Sequence, residues 1–225
     1  TLMELKTIAY IRNAYKEKFG IPRQSGMTDI VSEIVFEKEF RDANAIRGIE
    51  GFSHLWLIWG FSESDDTFRP TVRPPRLGGN ARMGVFATRS PFRPNPIGIS
   101  SVRFKAVRNT EQGPVIEVLG ADLLDGTPIY DIKPYLPEFD SHANAKAGFV
   151  DENEYGILKV VLSDEYRNML GRDAEPLVQA LMQDPRPHYQ DDPARVYKMR
   201  YSDFDICFTV SESTLTVTDV IQEEK

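Results

Sequence analysis

Arginine is the residue type best placed to do chemistry in this chain. Residues 69–103 contain seven of them (Arg69, Arg73, Arg76, Arg82, Arg89, Arg93 and Arg103) and no Asp or Glu, inside a protein of net charge -7. Such a cationic stretch suits an anionic partner, because guanidinium groups bind phosphate and carboxylate in bidentate geometry. Within it, Ala87-Thr88-Arg89-Ser90-Pro91-Phe92-Arg93-Pro94-Asn95-Pro96-Ile97-Gly98 places three prolines in six residues. These stiffen the backbone and present Arg89, Arg93 and Asn95 at low entropic cost. Proline lacks an N–H, so the neighbouring carbonyls are expected to stay open to a ligand. A plain crossover between strands explains the prolines and Gly98, but not two arginines and an asparagine on one loop.

A second segment runs Leu123-Leu124-Asp125-Gly126-Thr127-Pro128-Ile129-Tyr130-Asp131-Ile132-Lys133-Pro134-Tyr135. Asp125-Gly126 signals a tight turn, and Thr127-Pro128 re-enters extended chain. Asp131 and Lys133 alternate with Tyr130 and Ile132, so they share one sheet face within pairing reach. Spacing alone fits both an ordinary turn with a strand and the lining of a small-molecule pocket.

The elements that must position these segments are mainly strands. Short apolar runs at 7–11, 30–36, 54–59, 82–88, 99–107 and 115–119 are separated by turn residues, with Glu111-Gln112-Gly113-Pro114 as a hairpin turn. Asp42 is positioned to cap a brief helix through Ile46, ended by Gly48. Closely spaced strands with little helix between them predict a β-barrel-like domain over 1–137. A small α+β domain is expected over 138–225. It has a loop at 142–151, a strand at 156–162, helices capped by Ser163 and Asp173, and strands at 194–201, 204–210 and 215–220.

Composition narrows the function. Residues 1–135 hold 18 Lys and Arg against 16 Asp and Glu, and residues 136–225 hold 9 against 18. The basic work therefore belongs to the first part, in the manner of a selective enzyme with a local basic groove rather than a general DNA coat. No segment has the ~20 apolar residues of a membrane span. The single cysteine, Cys207, excludes an internal disulfide, fits a reducing cytoplasm and reads as a small core residue. His54, His142 and His188 are too scattered for a metal site. Trp56 and Trp59 fall on opposite faces of a strand. No Gly-x-Gly-x-x-Gly opens a helix after a strand, so a Rossmann fold is not expected.

Several motifs, taken in order, resemble one family. They are Tyr15-Lys16-Glu17-Lys18-Phe19 with Pro22-Arg23-Gln24; Gly51-Phe52-Ser53-His54-Leu55-Trp56; 69–80 from Arg-Pro-Thr-Val-Arg to Gly-Gly-Asn80; the Arg-Pro-Asn-Pro-Ile-Gly loop; Leu-Asp-Gly-Thr-Pro with Asp-Ile-Lys-Pro-Tyr; and Gln183-Asp184-Pro185-Arg186-Pro187. Together they resemble the TrmO (YaeB/TsaA) tRNA methyltransferases in their longer bacterial form. The resemblance implies a β-barrel enzyme that uses S-adenosyl-L-methionine and no metal. It would methylate N6 of the threonylcarbamoyladenosine (t6A) beside the anticodon of threonine tRNA, as a cytoplasmic homodimer with the cofactor near the subunit interface. It further implies cofactor contacts at Pro22, Arg23, Gln24, His54, Arg89, Leu124, Asp125, Gly126 and Thr127, joined by backbone near Ile99. Arg69, Arg73, Arg76, Arg82 and Arg93 fall to tRNA phosphates or the substrate carboxylate, with Lys133 and Tyr135 on the substrate side. Asn95, with the carbonyl beside Pro96, is the expected orienting group and Asp131 the expected proton acceptor. Two rival readings are a non-catalytic RNA-binding barrel, which has no need of the Asp-Gly-Thr-Pro turn or the Pro-Arg-Gln segment, and a nucleotide-sensing regulator, which would bind the cofactor but transfer no methyl group.

Overall fold

The computed structural model describes residues 4–64, 67–79, 81–153, 156–186 and 192–223. Asn80, Pro187 and His188 lie outside them. Eight strands form in the first part: β1 (Ala9–Arg12), β2 (Val31–Phe36), β3 (His54–Gly60), β4 (Thr71–Val72), β5 (Met83–Gly84), β6 (Ile97–Thr110), β7 (Gly113–Leu119) and β8 (Pro128–Pro134). Six of them pair in the cyclic order β1-β2-β7-β6-β3-β8 and close into a barrel, with β8 returning to β1. The alternation that predicts these strands also fills the barrel. Ile11, Ile34, Leu55, Leu57, Val102, Ile116, Val118 and Ile129 point inward and are buried, each side chain contributing roughly 1.5–3 kcal/mol. A small barrel packed this way has no room for a ligand inside, so a binding site must form at its rim.

The expected hairpin turn appears as a two-residue tip, Glu111-Gln112, between Thr110 and its partner Gly113, whose φ of 112° lies in the left-handed region. Asp42 caps its short helix as expected, accepting a hydrogen bond from the Asn44 amide at 2.8 Å. Segment 82–88 departs from expectation. Only Met83–Gly84 pairs, against Thr71–Val72, and the chain then tightens into a 3-10 turn at Val85–Ala87. Thr88 closes that turn twice, donating to the Val85 carbonyl from its amide (3.1 Å) and its hydroxyl (2.8 Å).

The second part comprises α1 (Pro137–Asp140), β9 (Lys159–Val161), α2 (Asp164–Leu170), α3 (Ala174–Met182), β10 (Tyr197–Tyr201), β11 (Phe204–Ser211) and β12 (Thr214–Gln222). The sheet order is β10-β11-β12-β9, with β9 parallel to β12. Helix α3 buries Ala174, Leu177, Ala180 and Leu181. Ser163 caps α2 by accepting from the Tyr166 amide at 3.2 Å. Asp173 does not cap α3: a 3-10 turn at Gly171–Asp173 runs directly into the helix, leaving Asp173 with helical rather than extended backbone. Cys207 is half-buried, on the face of β11 opposite buried Ile206 and Phe208, so it is not a core residue. Among the described residues no helix is long and apolar enough to cross a membrane.

The core of this sheet recruits the N-terminal segment. Tyr15 and Ile30 belong to its buried cluster, and Ala14, Phe19 and Ile21 pack against it. Tyr15 meets Tyr201 edge-on, with ring centroids 6.0 Å apart, and the Ser202 amide donates to the Ala14 carbonyl at 2.7 Å.

Candidate functional site

A cleft of about 440 Å3 opens where segment 18–24, the end of β3, the proline-rich loop and the turn after β7 converge. Pro22, Trp59, Ile97, Ile99 and Leu124 supply apolar walls, and Arg23, Gln24, Arg89, Arg93, Asp122 and Thr127 supply polar groups. Its size lies within the ~300–1,000 Å3 of small-molecule sites.

The wall is set by one glycine. A Cβ on Gly98 would lie 2.3 Å from Cε2 of the Trp59 indole, so only glycine lets the ring lie across β6. Thus placed, Trp59 Nε1 donates to Ser100 Oγ at 3.0 Å, and Ser100 Oγ donates to Asp122 Oδ1 at 2.6 Å. Burial pushes the Asp122 carboxyl above the usual carboxylate range. The Ser100 hydroxyl, its own amide, the Arg89 charge and the Ser25 amide work the other way. The Gly26 amide donates to the Gly120 carbonyl at 2.8 Å, drawing segment 20–26 against this turn. Arg89 Nη1 then donates to Gln24 Oε1.

The proline loop is braced from within. Arg93 Nη1 donates to the carbonyls of Thr88 (3.0 Å) and Ser90 (3.1 Å). The Pro91 carbonyl accepts from the Arg93 amide, Phe92 from Arg69, Asn95 from Ile97 and Pro96 from Phe61. The carbonyls expected to stay open for a ligand, including those beside Pro96, therefore already hold protein donors. Asn95 is exposed and stands outside the cleft lining.

The Leu124–Thr127 turn divides its labour. Leu124 and buried Thr127 line the cleft. Asp125 faces away: Oδ1 accepts from the Asn13 amide at 2.9 Å and Oδ2 pairs with Lys16 Nζ at 2.9 Å, fixing the turn to the exit of β1. Gly126, at φ 81°, provides the left-handed residue the turn needs. Asp125 and Gly126 thus hold the turn, and neither belongs to the lining.

Comparison with known proteins decides the lineage. Residues 10–141 match the tRNA-methyltransferase O N-terminal domain and residues 157–223 the TrmO C-terminal domain. This chain belongs to the TrmO family. It is 40% identical over 225 residues to the tRNA (adenine(37)-N6)-methyltransferase of Escherichia coli K12, covering 95% of this chain and 96% of that one. It is 44% identical over 180 residues to the enzyme of the same name from Eikenella corrodens, covering 77% and 99%. A crystal structure of TrmO from Pseudomonas aeruginosa superposes with a TM-score of 0.78 at 32% identity, covering 98% and 100%.

Other residues expected at the site of this TrmO-family chain lie elsewhere. His54 sits at the far end of β3, five residues or ~17 Å along the strand from Trp59. It is 6.0 Å from the Tyr135 ring between centroids, and Ser53 Oγ lies 3.0 Å from its Nδ1. Trp56 stacks obliquely on Tyr135 and donates to Asp140 Oδ2 at 2.9 Å. Asp131 and Lys133 pair at 2.9 Å, as their spacing predicts, but outside the cleft. Of the arginines, Arg76 Nη1 donates to the Val150 carbonyl, Arg82 Nη1 to Thr71 Oγ1, and Arg103 pairs with Asp29. Arg69 lies 3.9 Å over the Phe92 ring; Arg73 is exposed between β4 and the turn at Pro75–Leu77. The tail motif is drawn in as well: Arg23 Nη2 donates to the Asp184 carbonyl at 3.2 Å, and the Asp184 carboxylate clasps Arg186 through Nε and Nη2. Sequence reasoning missed Asp122 and Ser100, because a lone aspartate just after β7 and a serine 22 residues earlier on β6 carry no pattern.

Proposed function

We propose that this chain is an S-adenosyl-L-methionine-dependent tRNA (adenine-N6)-methyltransferase that acts on t6A beside the anticodon, principally of threonine tRNA, and releases its N6-methylated form (m6t6A). The observation that carries this reading is the convergence of Gln24, Arg89, Asp122 and Thr127 on one cleft, bordered by an arginine-rich loop, in a TrmO-family chain. The lining suits the donor. Trp59, Ile97 and Ile99 offer apolar walls to its adenosine and methylene carbons, and Arg23 and Arg89 offer guanidinium groups to its carboxylate. When bound, the donor supplies an electrophilic methyl group on cationic sulfur. The protein's share is alignment, which can remove several kcal/mol of barrier when the reacting atoms are held in line.

RNA is taken up beside the cleft. Phe86, 71% exposed, stacks on Phe68 with ring centroids 6.5 Å apart and lies 5.8 Å from the guanidinium of cleft-lining Arg93. Aromatic faces interleaved with guanidinium groups suit unpaired bases and phosphates. A second copy of the chain covers the outer barrel face. There Trp56 pairs with Ser101 and Ile58 with Ile99 in register, and Ile99 (50%) and Phe139 (67%) are exposed. Ile97 and Ile99 belong both to this face and to the cleft, so a two-fold contact through it sets the partner subunit beside the donor.

The test uses purified full chain, labelled donor and tRNA with or without the threonylcarbamoyl group, read by nucleoside mass spectrometry. One methyl group on N6 of the modified adenosine, and none on the bare one, is expected. Equal methylation of bare adenosine removes the t6A specificity. Donor binding without transfer to any tRNA favours a regulator.

A further inference from the structure

Adenine N6 loses a proton when it gains a methyl group, so the reaction needs an acceptor. The expected acceptor, Asp131, lies outside the cleft and is paired with Lys133. Among the described residues the lining holds two carboxylates, Glu63 and Asp122. Glu63 is exposed and sits 3.5 Å from the Lys18 ammonium. Asp122 is half-buried at the base of the turn, and its bonded partners are a hydroxyl and backbone amides. Ser100, 2% exposed, is itself fixed by the Trp59 indole.

We propose that the Asp122 carboxylate accepts the N6 proton during methyl transfer, and that Ser100 and Trp59 position it. This rests on the methyltransferase reading. As the N6 lone pair forms the new N–C bond, the methyl–sulfur bond breaks and its electron pair stays on sulfur. The N6 proton passes to a carboxylate oxygen of Asp122, leaving a neutral methylated base and a carboxylic acid that returns its proton to water. The surroundings suit the task. Burial raises proton affinity above that of a surface aspartate, while the hydrogen bonds from Ser100 and the backbone amides favour the charged form. The charged or titratable groups facing it are Arg89 from the proline loop and Tyr15 from the segment after β1. Lys18, Arg23, Glu63 and Arg93 complete the charged lining of the cleft.

The experiment compares wild type, Asp122→Asn and Ser100→Ala in the full chain, by single-turnover methyl transfer to t6A-bearing tRNA from pH 5 to 9 and by calorimetry with donor alone. Asp122→Asn is expected to slow transfer roughly 100-fold or more while donor affinity stays within about threefold of wild type. The wild-type rate should fall as pH drops through the Asp122 pKa, and the residual rate of Asp122→Asn should lack that limb. Ser100→Ala removes a hydrogen bond to the charged form, so its acid limb should move to higher pH, a shift that a merely structural role does not produce. Should Asp122→Asn fail to fold, the Ser100→Ala profile decides alone. Loss of donor affinity in step with rate overturns the proposal in favour of a donor-binding role. A wild-type rate or an unmoved acid limb overturns it outright, while leaving the methyltransferase reading intact. Absence of transfer by wild type to any tRNA takes both down together.

Discussion

Gly98→Ala tests how the cleft is walled. The added methyl would lie 2.3 Å from Cε2, 2.4 Å from Cζ2 and 2.7 Å from Cδ2 of Trp59, where ordinary contacts run 3.4–4 Å. The indole must therefore retreat by about 1 Å or more, and it is a rigid ring only 8% exposed. Overpacking of this kind costs about 1–3 kcal/mol. Displacing the ring also breaks the 3.0 Å bond to Ser100, worth about 0.5–1.5 kcal/mol. A total of roughly 1.5–4.5 kcal/mol follows from these two terms. Urea unfolding of the full chain measures it, and calorimetry should show weakened donor binding. The decisive control is Gly98→Ala in a Trp59→Leu background, where the smaller side chain leaves room and the cost should fall by at least ~1 kcal/mol. A cost below ~0.5 kcal/mol, or the same cost in both backgrounds, refutes the reasoning.

Two further outcomes are expected. Phe86→Ala should raise the KM for tRNA about 5- to 150-fold, the ~1–3 kcal/mol of one stacked base, with donor affinity unchanged; an unaltered KM removes the base-stacking role. The Asp122 pKa is raised in the fold, so its contribution to stability is fully present below the ordinary carboxylate range and is lost as pH rises through the folded value. Asp122→Asn should accordingly gain stability over wild type as pH rises from 4 to 8 in parallel chemical denaturation series, and a constant difference across that range contradicts the sign.

Much of the barrel was legible because alternation is imposed by burial: 30–36 and 54–59 became β2 and β3 nearly unaltered, with Trp56 and Trp59 on opposite faces. Asp131 and Lys133 paired as their two-residue spacing requires. Local pattern failed where long-range bonds decide. Segment 82–88 has strand composition, yet only two residues find a partner strand and Thr88 closes a turn instead. Resemblance places Asp125 at the cofactor, whereas its carboxylate is held by Asn13 and Lys16, about 110 residues earlier. The proline-loop carbonyls looked open because their own chain supplies few donors; the donors arrive from Arg69 and Phe61, and from Arg93 folded back on the loop. Resemblance joins Gln24 and Arg89 at one cofactor site, and only the strand register adds Asp122 to it.

The recruitment of Tyr15 and Ile30 into the second core has a practical consequence. A chain cut after Asp140 would strip the cover from both residues and from Phe19 and Ile21, and the loop they anchor carries Arg23 and Gln24 into the cleft. The C-terminal sheet therefore acts as a backing plate for the binding loop rather than a detachable appendage. A graft that exchanges this sheet between relatives must bring residues 14–30 along with it.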